Sequence, residues 1–180
     1  MSSPFTIDMT APVAVPGFTT GYGGPGVGGH TGPNWYIHYG MDLGGASGTP
    51  VYAAFAGHIT KFQPHNPAED SGKVYGAQIF IRSDNDMMGG FYTHLTDTDD
   101  KVQQGAEIAV GDYLGTVYEF AGISPHLHLA LVEIIGGAPG GQYTGVDLYS
   151  FFLDLQRNHP DLYVPVQFWQ DGRAPEPQQV

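Results

Sequence analysis

Apolar and polar residues alternate most cleanly over His126–Ile135. Leu127, Leu129, Leu131 and Glu133 fall on one side there, and His126, His128, Ala130 and Val132 on the other. A two-residue period of this kind predicts a β-strand with distinct faces. Ala77–Arg82 (AQIFIR) and Gly90–Leu95 (GFYTHL) are rich in β-branched and aromatic residues and predict two more strands. Pro50–Ala56 is an apolar run that stops at Gly57, and the pattern resumes over His58–Phe62. Ile108–Phe120 reads as two short strands broken at Gly111 and Gly115. Gln63–Gly76, Asp84–Met88 and Thr96–Gln104 are polar and read as loops or turns. Only Val146–Gln156 (VDLYSFFLDLQ) has helical spacing, with Asp147 placed to cap it. The expectation is a mostly β fold, a twisted antiparallel sheet with one C-terminal helix.

The composition agrees with many short strands. Gly contributes 27 and Pro 14 of 180 residues, and they punctuate the chain rather than repeat. Residues 21–33 (GYGGPGVGGHTGP) hold seven of those glycines, as a linker or as a loop beside a site. Three regions follow from this: an N-terminal extension over 1–20 packed on or near the domain, a domain over 21–160, and a C-terminal extension over 161–180 with a flexible tail.

Charge narrows the partners. Six basic against 18 acidic residues give a net charge of −12, which excludes a nucleic-acid surface built on clustered Lys and Arg. The absence of Cys removes disulfides, thiol catalysis and Cys-ligated zinc. No apolar stretch approaches the roughly 20 residues of a membrane span, and no signal peptide is visible at the start.

Histidine carries the candidate chemistry. His126 and His128 form H-x-H and share one face of their strand. His38 and Asp42 form H-x-x-x-D; with Gly40, Gly44 and Gly45 close by, a loop entering a strand is expected there rather than a helix. His94 lies in YTHL. Two His and one Asp would make a three-ligand set that leaves a coordination position open for water, as in catalytic zinc sites. Two further His would remain for proton transfer. His30 is expected to be exposed on its Gly-rich loop, and His58, His65 and His159 have ordinary strand or surface readings.

From Thr19 to Ile134 the chain resembles the lysostaphin/LytM-type zinc endopeptidases, which cleave peptide bonds in bacterial peptidoglycan. The resemblance rests on GYG at Gly21–Gly23, HYGMD at His38–Asp42, GTPVYAAFAGHI at Gly48–Ile59, YTHL at Tyr92–Leu95, VQQG at Val102–Gly105 and SPHLHL at Ser124–Leu129, in that order. It implies a sheet with the site in a groove walled by loops. It implies one zinc ion per chain on His38, Asp42 and His128, with His94 and His126 as the catalytic pair. Tyr22, Tyr36 and Tyr92 are candidates for the groove tyrosine that some members use. One departure stands out. The family commonly follows H-x-H with Phe-Glu, whereas Leu129-Ala130 follows here and the nearest acid is Glu133.

The resemblance implies a zinc-dependent endopeptidase acting on cross-link or stem peptides of peptidoglycan. The alternatives are a non-catalytic groove that binds wall peptides or activates a partner amidase, and a zinc hydrolase of another substrate. Such an enzyme acts in the cell envelope or outside the cell, delivered as an antibacterial effector, as a phage-related lysin, or after removal of a leader. An inhibitor or immunity protein is a candidate partner for the groove, and nothing in the sequence demands more than a monomer.

Overall fold

A computed structural model describes residues 3–15, 21–66, 75–119 and 122–178. Thr19, Phe120, the middle of the Gln63–Gly76 loop and the end of the tail lie outside the described residues.

The elements run β1 (Phe5–Met9), α1 (Trp35–His38), β2 (Gly40–Gly44), β3 (Pro50–Tyr52), β4 (Gly57–Gln63), β5 (Ala77–Arg82), β6 (Met88–Thr96), β7 (Glu107–Ile108), β8 (Tyr113–Val117), β9 (His126–Ile135), β10 (Gln142–Val146), α2 (Tyr149–Asn158), β11 (Val164–Phe168) and β12 (Glu176–Pro177). Nine strands form one sheet in the order β10-β9-β6-β5-β4-β7, with β2 on the same edge of β9 as β10, β8 against β6, and β3 against β8. Strands β1, β11 and β12 form a second sheet. Every strand pair is antiparallel.

Strand β9 is the axis of the large sheet. Its odd-numbered residues Leu127, Leu129 and Leu131 join Ile79, Ile81 and Tyr92 in the core. Helix α2 caps that core with Phe152 and Leu155, and β11 closes it with Val164, Val166 and Phe168. The other face of the sheet carries His126, His128, Phe91, Phe80 and Arg82 and is left for the groove.

The alternation at β5 and β9 gives strand bounds that match the sequence reading. Other segments differ. Residues before β2 form one helical turn, α1, because Asn34–Tyr39 close local bonds: Ile37 and His38 donate to the Asn34 carbonyl, and Tyr39 donates to that of Trp35. Gly115 lies inside β8 rather than breaking it. Asp147 accepts a bond from the Tyr149 backbone N–H at 3.1 Å, while Leu148 takes the N-cap position. The polar tail is tied to β11 through β12, and Gln178 donates to the Pro165 carbonyl at 2.8 Å.

Glu133 shows how the two sheets are joined. It points to the core side of β9 and is 1 % exposed. Its Oε1 accepts from the Gln170 backbone N–H at 2.9 Å and from the Gln170 amide at 3.2 Å. Gln170 in turn accepts from the Gly136 N–H at 3.0 Å. Removing the carboxylate leaves buried donors without partners, which costs about 1–3 kcal/mol. Glu133→Ala should therefore lower stability by about that amount in urea unfolding; a change no larger than the ~0.5 kcal/mol of a surface substitution would show that this tie carries no weight.

Candidate metal centre

Asp42 sits at the middle of β2, paired with His128 on β9; Gly44 pairs with His126. Residues directly opposite on one face lie within side-chain reach. The register therefore brings the Asp42 carboxylate under both rings of the H-x-H motif. Asp42 Oδ1 is 3.3 Å from His128 Nδ1, and Oδ2 is 3.5 Å from His126 Nε2.

The third ring comes from the Gly-rich loop. His30 Nε2 lies 3.1 Å from Asp42 Oδ1. His30 is 2 % exposed, so its expected surface position is corrected. The loop is pinned to the same carboxylate, since the Tyr22 backbone N–H donates to Asp42 Oδ2 at 2.9 Å. The Asp42 backbone N–H donates to the Gly23 carbonyl at 2.9 Å. Gly21 has a φ of +61°, and a Cβ there would run into the Asp42 carboxylate. Only glycine meets both demands.

His38 does not reach this group. It ends α1, and the chain turns at Tyr39 before β2 begins, so the strand face that carries Asp42 does not extend back to residue 38. The His38 ring instead lies beside Tyr39 and the Gly26 side of the loop. Position 40, two residues before Asp42 on the same face, is glycine. A Cβ there would collide with the His128 ring and come within 2.8 Å of the His30 ring, so the missing side chain is the space those rings use.

His94 reaches the cleft through a β-bulge. Thr93 pairs with Gln78 and Leu95 with Ala77, which leaves His94 as the extra residue. Its φ is +69°, an uncommon conformation for a residue with a side chain. Simple alternation would send His94 to the core with Tyr92; the bulge turns it to the other face. Its ring then meets that of His126 at 4.9 Å and that of His128 at 5.9 Å. Tyr92 stays in the core, fully buried, with its hydroxyl accepting from the Ala54 N–H at 2.9 Å. It is therefore not a groove residue.

The four histidines share one bonding pattern. His30 Nδ1–H donates to the Gly24 carbonyl at 3.0 Å, His126 Nδ1–H to Ser124 at 2.7 Å, His128 Nε2–H to Tyr36 at 2.7 Å and His94 Nδ1–H to Tyr75 at 2.9 Å. In a neutral imidazole the second nitrogen then carries a lone pair. For His30, His128 and His126 that nitrogen faces an Asp42 oxygen. Such a contact is favourable when either a proton on the ring nitrogen or a metal cation lies between the two atoms. The donor set is compact enough for a metal: the ligand atoms of His30, Asp42 and His128 all lie within 4.8 Å of one another. Two imidazoles and one carboxylate suit zinc with an open position.

The electrostatics follow from burial and pairing. Burial alone would raise the Asp42 carboxyl, but hydrogen bonds to His128 and His30 and the charges of His126 and His128 hold it well below the usual carboxylate range. Burial disfavours charge on His30, yet its bond to Asp42, with the carboxylate's charge, raises its proton affinity. Burial pushes His94 down to about 3, helped by its histidine neighbours and opposed by the Tyr75 carbonyl. His94 is therefore neutral near pH 7.

Around these residues lies a cleft of about 540 Å³, walled by Tyr22, Tyr36, Tyr75, Phe91 and Ile123. Tyr75, on the loop that accepts the bond from His94, was not singled out from the sequence. Its only signal there is its place at the end of a polar loop.

The profile of Peptidase family M23 matches residues 36–139, more than half of the chain. The chain belongs to Peptidase family M23. M23 peptidases are zinc-dependent, and the His30–Asp42–His128 group fits that cofactor. No curated protein matches the chain. Among solved structures it is similar to the catalytic domain of the antimicrobial peptidase lysostaphin from Staphylococcus simulans (24 % identity over 75 % of this chain and 90 % of that one, TM-score 0.50). It is similar to the longer lysostaphin chain at 21 % identity, over 84 % of this chain and 56 % of that one, with a TM-score of 0.55. LytU gives 23 % identity over 81 % and 90 %, with a TM-score of 0.50. These likenesses establish a lysostaphin-like fold, with a mostly antiparallel β architecture.

The two histidine candidates at the metal can be separated by zinc content. His30→Ala should weaken zinc binding by more than the roughly 100-fold seen when a ligand's orienting partner is removed. His38→Ala should retain about one zinc per chain. Metal analysis of both purified variants after dialysis checks this; zinc lost from His38→Ala and kept by His30→Ala would reverse the assignment.

Proposed function

We propose that this M23 metallopeptidase is an endopeptidase hydrolysing peptide bonds in bacterial peptidoglycan, acting in the cell envelope or outside the cell. The observation that carries the reading is the convergence of His30, His126 and His128 on the buried Asp42 carboxylate, with each ring oriented by a backbone carbonyl. A non-catalytic groove for wall peptides would not need four oriented imidazoles, and the intact donor set speaks against it. The peptidoglycan substrate is supported by the family and by the lysostaphin-like fold.

Zinc at this site would act as a Lewis acid and would lower the pKa of a water molecule towards neutrality. His30, Asp42 and His128 would hold the zinc. The Gly24 and Tyr36 carbonyls fix the tautomers of His30 and His128, so the ligating nitrogens need no reorganisation. His126 and His94 lie beside that point with their Nδ1–H groups tied to carbonyls. With Nδ1–H bonded to a carbonyl, each ring has Nε2 as the atom that would accept the proton of the attacking water. The ring that takes this proton would pass it to the leaving amine as the C–N bond breaks. Tyr22 and Tyr36 wall the cleft where the substrate backbone would lie.

Purified peptidoglycan sacculi incubated with the zinc-loaded protein should release fragments with new peptide termini, read by mass spectrometry, and a zinc chelator should abolish them. His126→Ala and His94→Ala should keep zinc and lose at least about 100-fold in turnover, the lower end for a general acid–base residue. No chelator-sensitive termini from a folded, zinc-loaded sample would overturn the reading in favour of a binding groove.

A further inference from the structure

The groove does not end at the histidines. Past Tyr36 and Phe91 a second compartment of about 220 Å³ opens on the same face of the sheet, lined by Trp35, Tyr36, Phe80, Arg82, Ile134 and Tyr143 among others. Tyr36 belongs to both cavities. Phe80 and Phe91, with ring centroids 4.6 Å apart, form the floor between them. Trp35 and Tyr36 meet Phe80 edge-on at 6.2 and 5.7 Å.

Charge singles out this compartment. The chain has six basic residues against 18 acidic ones. Two of the six, Arg82 and Lys61, belong to adjacent strands here. Arg82 is half-buried in the wall, and the Lys61 ammonium lies 5.8 Å over the Phe80 ring. Lys101 and Arg173 each have a carboxylate partner, at 3.9 and 2.8 Å, whereas Arg82 has none among the described residues. His58, opposite Arg82 on β4, belongs with Asp84 and Glu107 to a grouping at the sheet edge, and neither acid is within ion-pair distance of the guanidinium. A half-buried guanidinium left without an anion in so acidic a chain is a site for a carboxylate from outside it.

The register gives the spacing. His128 pairs with Thr93, and Arg82 pairs with Gly89. Four residues along β6 and two strand spacings across separate them, roughly 16 Å in all and about five residues of extended peptide.

We propose that this compartment is a distal substrate subsite, in which Arg82 binds a peptide carboxylate about five residues from the scissile bond while Trp35, Phe80 and Tyr143 pack against the chain leading to it. The proposal rests on the peptidase reading above. It makes Arg82 a specificity residue that touches substrate but takes no part in bond cleavage.

The test uses zinc-loaded protein carrying His126→Ala, to stop turnover, and Trp169→Phe, which leaves Trp35 as the single tryptophan. The probes are acetylated Gly/Ala peptides of three to eight residues, each as the C-terminal acid and as the amide, titrated by Trp35 fluorescence. Acids of about five residues and longer should bind about 10-fold or more tighter than their amides, the scale of one charge-assisted hydrogen bond. Arg82→Gln should erase that difference, and Arg82→Lys should keep part of it. An amidated peptide with Asp at the matching position separates a side-chain carboxylate from a chain end. Equal affinity for acid and amide, or a preference that survives in Arg82→Gln, overturns the proposal. So does tight, Arg82-independent binding of chitotetraose, which would make the compartment a sugar site. Calorimetry gives the same comparison if Trp169→Phe does not fold. Sacculus digestion by protein with His126 and Trp169 intact keeps the two readings apart: cleavage without acid preference removes the subsite alone, and Arg82-dependent binding without cleavage removes the peptidase reading alone.

Discussion

The Asp42 carboxylate is the point on which the site depends. It is fully buried, and burial of a lone carboxylate is strongly unfavourable. Its surroundings offset this from several directions: a backbone N–H from Tyr22 and rings from His30, His126 and His128. Its own backbone is held as well, by the Gly23 carbonyl and by the Tyr149 hydroxyl of α2, which donates to the Asp42 carbonyl at 3.1 Å. One residue thus joins the Gly-rich loop, the central strand β9 and the C-terminal helix. Breaking a buried ionic group of this kind by removing one partner leaves the rest uncompensated. The same arrangement gathers the ligand atoms of His30, Asp42 and His128 within 4.8 Å of one another, so what holds the loop in place also assembles a donor set for a metal.

The sheet supplies precision through two devices. Regular antiparallel register sets Asp42 against His128 and Gly44 against His126. A local irregularity then adds His94, which regular pleating would have buried beside Tyr92. A positive φ at a non-glycine residue costs of order 1–3 kcal/mol. Here it is held by the His94 N–H to the Tyr75 carbonyl at 3.0 Å and by the Tyr118 N–H to the His94 carbonyl at 2.8 Å. The strain falls at the residue whose side chain is turned toward the metal centre.

Much of this was legible in the chain. The period of two over β9 and β5 is a direct consequence of pleating, and it put His126 and His128 on one face and Leu127 and Leu129 on the other. What the sequence could not carry was set by tertiary contacts. H-x-x-x-D looked like one ligand unit because its residues are near in sequence, but His38 ends a helical turn and the chain bends at Tyr39 before the strand that carries Asp42 begins. His30 is 12 residues from Asp42 and reaches it through a loop whose glycines have no period to read. The bulge at His94 follows from the pairing of β5 with β6, which no local pattern encodes. Strands β1, β11 and β12 were missed for a related reason. They lie in the segments set apart as extensions, yet Met9, Val164, Val166 and Phe168 are part of the single core.

The departure from the family pattern after H-x-H has a structural answer. With Leu129-Ala130 in place of Phe-Glu, no carboxylate follows the motif, and Glu133 is committed elsewhere, to Gln170. The orienting function passes to backbone carbonyls of Gly24, Tyr36, Ser124 and Tyr75. A carbonyl is neutral, so it fixes a ring's tautomer without adding a second negative charge beside Asp42. In a chain of net charge −12 this keeps a further carboxylate away from the buried Asp42. It also couples the site to the loops. The Tyr36 carbonyl that orients His128 belongs to the residue whose ring divides the metal cleft from the aromatic compartment. One residue thus orients the His128 ring through its carbonyl and lines both compartments with its side chain.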